Sequence, residues 1–124
     1  MARVLVVDDD PSMLSALGAL LRSSGHQAVA AQSAKEALAV LDGGIEAVVT
    51  DYSMPEMNGL ELVRRIRRDR PELKVLFMTG YADTADIEAE SVDVPTLRKP
   101  FRVAELSDKV ASVLRGGAPS AVAV

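Results

Sequence analysis

At 124 residues and 48% hydrophobic content, the chain can bury one core without staples, which matches a single domain. It contains no cysteine, which excludes a disulfide framework, a thiolate metal site and thiol catalysis. A net charge of -4, no tryptophan and few aromatics make direct nucleic-acid binding a poor match, and no apolar run is long enough for membrane insertion, so a soluble cytoplasmic domain is expected.

Arg3 leads at once into the apolar run Val4 to Val7, which reads as a buried strand followed by Asp8, Asp9 and Asp10. Pro11 suits the first turn of a helix, with Asp10 before it as a cap. Met13, Leu14, Leu17, Leu20 and Leu21 recur at helical spacing up to Ser24, and Gly25 ends the helix. Gly18 inside that helix implies a close packing contact. His26 to Ala31 reads as a weaker strand. Ser33 and Glu36 then form a capping box for a helix through Ala34, Ala37, Leu38 and Leu41.

Gly43-Gly44 precedes the central strand, Ile45 to Thr50, a short β-branched run that ends in Asp51. Beyond Asn58-Gly59 a helix is expected to about Asp69, with Leu60, Val63 and Ile66 inward. Its outer arginines Arg64, Arg65, Arg67 and Arg68 have Glu61 and Asp69 beside them, and a solvated face explains them better than a docking patch. Lys74 to Met78 is a further buried strand, ending in Thr79-Gly80. Residues Ala82 to Glu90 suggest a short, weakly amphipathic helix. Val94 to Leu97 reads as a fifth strand leading to Lys99-Pro100-Phe101. Val103, Leu106, Val110, Val113 and Leu114 mark a last helix, and 116–124 is small and unpatterned, a flexible tail or truncated linker after a domain spanning 1–115. Five strands alternating with five helices predict an α/β doubly wound domain with a parallel sheet.

Parallel strands end on the same side of a sheet, so Asp8, Asp9, Asp51, Thr79 and Lys99 should meet along one edge. Three carboxylates in one cleft repel each other unless a proton or a cation intervenes. An oxygen-only donor set points to a hard ion, and magnesium fits because it takes one or two carboxylates together with a substrate phosphate. A cation and the Lys99 ammonium suit the shifting charge of a phosphoryl group in transfer. An aspartate can be the nucleophile and form an aspartyl phosphate, with the Thr79 hydroxyl donating to a phosphoryl oxygen.

The stretches Val6-Val7-Asp8-Asp9-Asp10, Thr50-Asp51-Tyr52-Ser53-Met54-Pro55-Glu56-Met57-Asn58-Gly59, Met78-Thr79-Gly80-Tyr81 and Lys99-Pro100-Phe101 resemble a response-regulator receiver domain of two-component signalling. The resemblance implies a flavodoxin-like strand order of 2-1-3-4-5. It implies Asp51 as phosphoacceptor, Asp8 and Asp9 as the acidic pair with Asp9 favoured as the direct Mg2+ ligand, and the Ser53 backbone carbonyl in the metal shell. Thr79 matches the switch hydroxyl, Lys99 the phosphate-binding lysine, and Lys99-Pro100 a cis peptide. The implied donor is a phosphohistidine on a sensor histidine kinase or histidine phosphotransfer protein. The implied recipient is a downstream effector protein or a covalently linked kinase.

The family's aromatic switch position holds Thr96 here, and Asp93-Val94-Pro95 replaces its usual Gly-Ala turn. Signalling through the Gly80–Glu90 segment is therefore expected. The pattern from Val94 to Lys99 resembles receivers of hybrid sensor kinases. The receiver reading makes the chain a switch, not an enzyme, with at most weak self-catalysed phosphotransfer and autodephosphorylation.

Two alternatives fit less of the sequence. A haloacid-dehalogenase-like magnesium phosphohydrolase would use Asp8 and Asp10, two residues apart, but leaves Asp51 and its loop unexplained. A flavodoxin-like cofactor binder would need a phosphate-cradling loop where Asp8, Asp9 and Asp10 stand.

Overall fold

The structure is a computed structural model that describes residues 2–41, 44–52, 54, 57–79, 96–99 and 101–115. The elements in order are β1 (Arg3–Val7), α1 (Pro11–Ser23), β2 (Gln27–Ala31), α2 (Ala34–Val40), β3 (Ala47–Asp51), α3 (Gly59–Asp69), β4 (Lys74–Thr79), β5 (Thr96–Arg98) and α4 (Val103–Leu114). All five strands are parallel, in the order β2-β1-β3-β4-β5. The expected fold class is therefore observed. Four helices lie among the described residues. The helix expected over 82–90, the start of the fifth strand at 94–95 and the tail at 116–124 lie outside them.

Strand periodicity divides the interior into two cores. Leu5, Val7, Val48, Val75 and Phe77 face α2 and α3, where they meet Ala34, Ala37, Leu62, Val63 and Ile66. Val4, Val6, Val49, Leu76 and Met78 face α1 and α4, where they meet Leu14, Leu17, Leu21, Leu106, Val110 and Val113. Burial on both faces is the reason β1, β3 and β4 read as unbroken apolar runs. At the sheet edge, β2 is only partly buried, consistent with its weaker signal.

The helix ends follow their sequence signals. The Asp10 carboxylate accepts the Ser12 N–H at 2.9 Å and caps α1. At its other end His26 N–H donates to Leu21 O at 2.9 Å and Gly25 N–H to Arg22 O at 3.0 Å, with Gly25 at φ 89°. This is a Schellman closure, which needs the left-handed residue that glycine supplies. Ser33 caps α2 through the Glu36 N–H at 3.0 Å, while the Glu36 carboxylate accepts the Gln32 N–H instead of that of Ser33.

Three local readings change. His26 lies just before β2, half-buried, with Nδ1 accepting the Ala2 N–H at 3.1 Å. Leu62 is fully buried and widens the inward face of α3 beyond Leu60, Val63 and Ile66. Gly18 does not touch a neighbouring element most closely. The nearest atoms to a Cβ there belong to the Arg22 guanidinium, one turn further along the same helix.

Candidate functional site

In this strand order the direction in which strands are added across the sheet reverses between β1 and β3, so a crevice opens at their carboxyl ends. The register pairs Val7 with Thr50, which makes Asp8 and Asp51 next in line on the two central strands. It pairs Thr79 with Arg98, which brings Lys99 to the same edge. The Lys99 N–H donates to the Thr79 carbonyl at 2.7 Å and holds β5 to β4 at this point.

Asp8 is 1% exposed and Asp51 6%, whereas Asp9 is exposed. Each offers a carboxylate oxygen, and these oxygens all lie within 4.8 Å of one another. The Lys99 ammonium stands 3.3 Å from Asp8 Oδ2 and 3.4 Å from Asp51 Oδ2. Asp8 also accepts the Asp10 N–H through Oδ1 at 3.0 Å, so both its oxygens are engaged. Burial works against the Lys99 charge. The fields of Asp51 and Asp8, with their hydrogen bonds, outweigh it and hold the ammonium above its usual range.

The structure thus brings Asp8, Asp9, Asp51 and Lys99 together and places buried Thr79 at the neighbouring strand end. Lys99 pairs directly with two of the carboxylates, a contact beyond its expected phosphate role. Ser53, the Lys99-Pro100 peptide and the Gly80–Glu90 segment lie outside the described residues. The donor set is all oxygen, crowded and half-enclosed, which fits a hard divalent cation such as Mg2+.

Sequence reasoning missed the packing of the loop after Asp51. Met54 and Met57 lean on the α2/α3 core, and Tyr52 packs edge-on against Phe77 with ring centroids 5.7 Å apart. It also took Asn58-Gly59 only as the end of the loop before the helix. Asn58 caps α3 through the Glu61 N–H at 2.9 Å, and the Gly59 N–H returns to the Tyr52 carbonyl at 2.7 Å. The spacing of Asn58 to Glu61, a capping pair, was the available signal.

Fold and site together define a doubly wound α/β domain with an acidic cluster and a lysine at its switch point. A family profile described as response regulator receiver domain matches residues 4–111, and the chain belongs to that family. It is 34% identical over 118 residues to the sensor kinase CckA of Brucella abortus (strain 2308), a match covering 91% of this chain and 12% of that protein. It is 33% identical over 118 residues to the response regulator receiver protein CpdR of the same strain, covering 92% of this chain and 98% of that one. Among solved structures it is similar to the response regulator protein TrrA from Thermotoga maritima in complex with Mg2+-BeF. That match has a TM-score of 0.80 and 30% identity, and covers 91% of this chain and 99% of that one. The chain spans less than half the length of the first curated relatives it matches, between 12% and 47%.

The chain is a receiver domain of two-component signalling. The hydrolase alternative falls with this assignment. It needs Asp8 and Asp10 as its working pair, yet the Asp10 carboxylate caps α1 while Asp9 and Asp51 complete the cluster. Among the described residues no helix is long and apolar enough to cross a membrane.

Proposed function

We propose that Asp51 accepts a phosphoryl group from a phosphohistidine on a sensor histidine kinase or histidine phosphotransfer protein. The supporting observation is the placement of the Asp51 carboxylate at the end of the central strand, beside Asp8, Asp9 and the Lys99 ammonium. An Asp51 carboxylate oxygen attacks phosphorus, the P–N bond breaks, and its electron pair leaves with the imidazole, which takes a proton from solvent. The product is an aspartyl phosphate.

Asp8, Asp9 and Asp51, with the Ser53 backbone carbonyl, would hold Mg2+. When bound, the ion neutralises charge on the phosphoryl oxygens. The TrrA structure carries Mg2+-BeF, which supports the same cation here. Lys99 releases the Asp51 oxygen and donates to a phosphoryl oxygen, a charge-assisted bond to a more highly charged acceptor. The Thr79 hydroxyl donates to another and reports the modification. The recipient of the signal is a downstream effector protein or a kinase on the same chain. The domain acts as a switch, with at most slow self-catalysed loss of phosphate, in the cytoplasm.

Incubation with a small acyl phosphate and Mg2+ should add one phosphoryl group, read by mass spectrometry. Asp51→Asn should abolish it, since the amide is no nucleophile. Undiminished labelling of that variant would sink the assignment.

A further inference from the structure

Gly59 is the first residue of α3 and lies directly against the backbone of the phosphoacceptor. A Cβ at this position would stand 2.6 Å from the Asp51 carbonyl oxygen, 2.9 Å from Tyr52 Cα and 3.2 Å from Phe77 Cε1. The first two neighbours are main chain, so neither can swing aside as a side chain would. Gly59 is not in the left-handed region, unlike Gly25, which has open space around it. The requirement for glycine at 59 is therefore one of contact, not of backbone conformation.

The surrounding bonds fix the same peptide from both sides. Tyr52 N–H donates to Met78 O on β4 at 3.0 Å, and Tyr52 O accepts the Gly59 N–H at 2.7 Å. The Phe77 ring, packed against Tyr52, closes the third side. The chain leaving Asp51 is thus clamped between β4 and the start of α3, with no room for one further carbon.

We propose that Gly59 is a positioning residue for phosphoryl transfer: the bare Cα at the start of α3 sets where the Asp51 carboxylate stands relative to Asp8, Asp9 and Lys99. This rests on the reading of Asp51 as phosphoacceptor. Any side chain at 59 pushes the Asp51 carbonyl back by several tenths of an ångström and carries the carboxylate with it. Displacements of about 1 Å cost up to roughly a hundredfold in rates that depend on alignment.

The test is the labelling rate with saturating acyl phosphate and Mg2+, well below the melting temperature of each folded variant. Gly59→Ala should label at least about tenfold more slowly than the unsubstituted chain. Gly59→Ser should match it, because both add the same Cβ. Phe77→Leu in the Gly59→Ala background should not restore the rate, since the backbone clash remains. Gly25→Ala, strained far from the site, should label normally. Asn58→Ala and Ser33→Ala serve if position 59 tolerates no substitution. Each removes one helix cap, and only the loss at α3 should slow labelling. Normal labelling of folded Gly59→Ala, rescue by Phe77→Leu, or equal behaviour of the two cap variants overturns the proposal. If the unsubstituted chain itself takes no label, the phosphoacceptor reading fails and the proposal with it. If it labels and Gly59→Ala labels equally, only the positioning role fails.

Discussion

Lys99 places one ammonium against two of the three acids in the cluster, Asp8 and Asp51. Asp8 is almost fully buried, and a buried carboxylate is tolerated only when paired or hydrogen-bonded. Replacing Lys99 by Met keeps most of the side-chain bulk and removes the charge. The metal-free variant should lose on the order of 1–2 kcal/mol, less than a fully buried pair would, because the ammonium is partly exposed. Mg2+ should then raise its melting temperature more than that of the unsubstituted chain, since the ion restores the missing positive charge. Equal shifts in the two proteins would show that Lys99 does not offset the cluster. The sign with pH follows from the raised Lys99 pKa. Stability from the charged lysine is fully present below the ordinary lysine value of about 10.4 and is lost as pH rises through the folded value. Without divalent cation, this alkaline loss should be absent in Lys99→Met.

Helix α1 shows which local signals carry through to structure. Its start and stop were legible because Asp10-Pro11 and Gly25 act through their own backbone chemistry, independent of what packs nearby. Gly18 was not, because a glycine in a helix does not reveal what lies opposite it. The structure puts the end of a flexible, exposed arginine there, 3.1 Å from a would-be Cβ. Arg22 can move away by that small amount, so Gly18→Ala should stabilise the fold by about 0.5–1 kcal/mol through lower unfolded-state entropy. Gly25→Ala should destabilise it by about 1–2 kcal/mol, because the left-handed conformation is strained for a residue with Cβ. Paired denaturant melts give both numbers, and a destabilising Gly18→Ala would show that Arg22 is held in place. Leu62 and Gly59 escaped the sequence for a different reason. What each packs against lies outside its own helix, Asp51, Tyr52 and Phe77 for Gly59, and helical spacing does not encode it.

The strand order and the acidic cluster are two consequences of one topology. Parallel strands deliver their ends to one edge, so a sequence that alternates buried strands with helices also states where its strand-end residues meet. That is why Asp8, Asp9, Asp51, Thr79 and Lys99 were legible as a set before any geometry, although their distances were not. The concentration of acid there has an energetic cost in the ion-free protein, which already carries a net charge of -4. An ion that binds only the folded state recovers that cost by mass action. Mg2+ at ten times its dissociation constant should add about 1.4 kcal/mol of stability, a rise of roughly 3–6 °C for a domain of this size. Asp9 is exposed and Asp8 is engaged through both oxygens, so Asp9 is the cluster member freest to turn toward an ion. Asp9→Asn should therefore remove most of the Mg2+-dependent rise while leaving the ion-free protein equally or slightly more stable, because one repulsive charge is gone. Thermal melts of both proteins across a Mg2+ titration, with NaCl at matched ionic strength, separate site binding from general screening. A rise that NaCl reproduces, or one that survives in Asp9→Asn, would mean that the ion acts elsewhere.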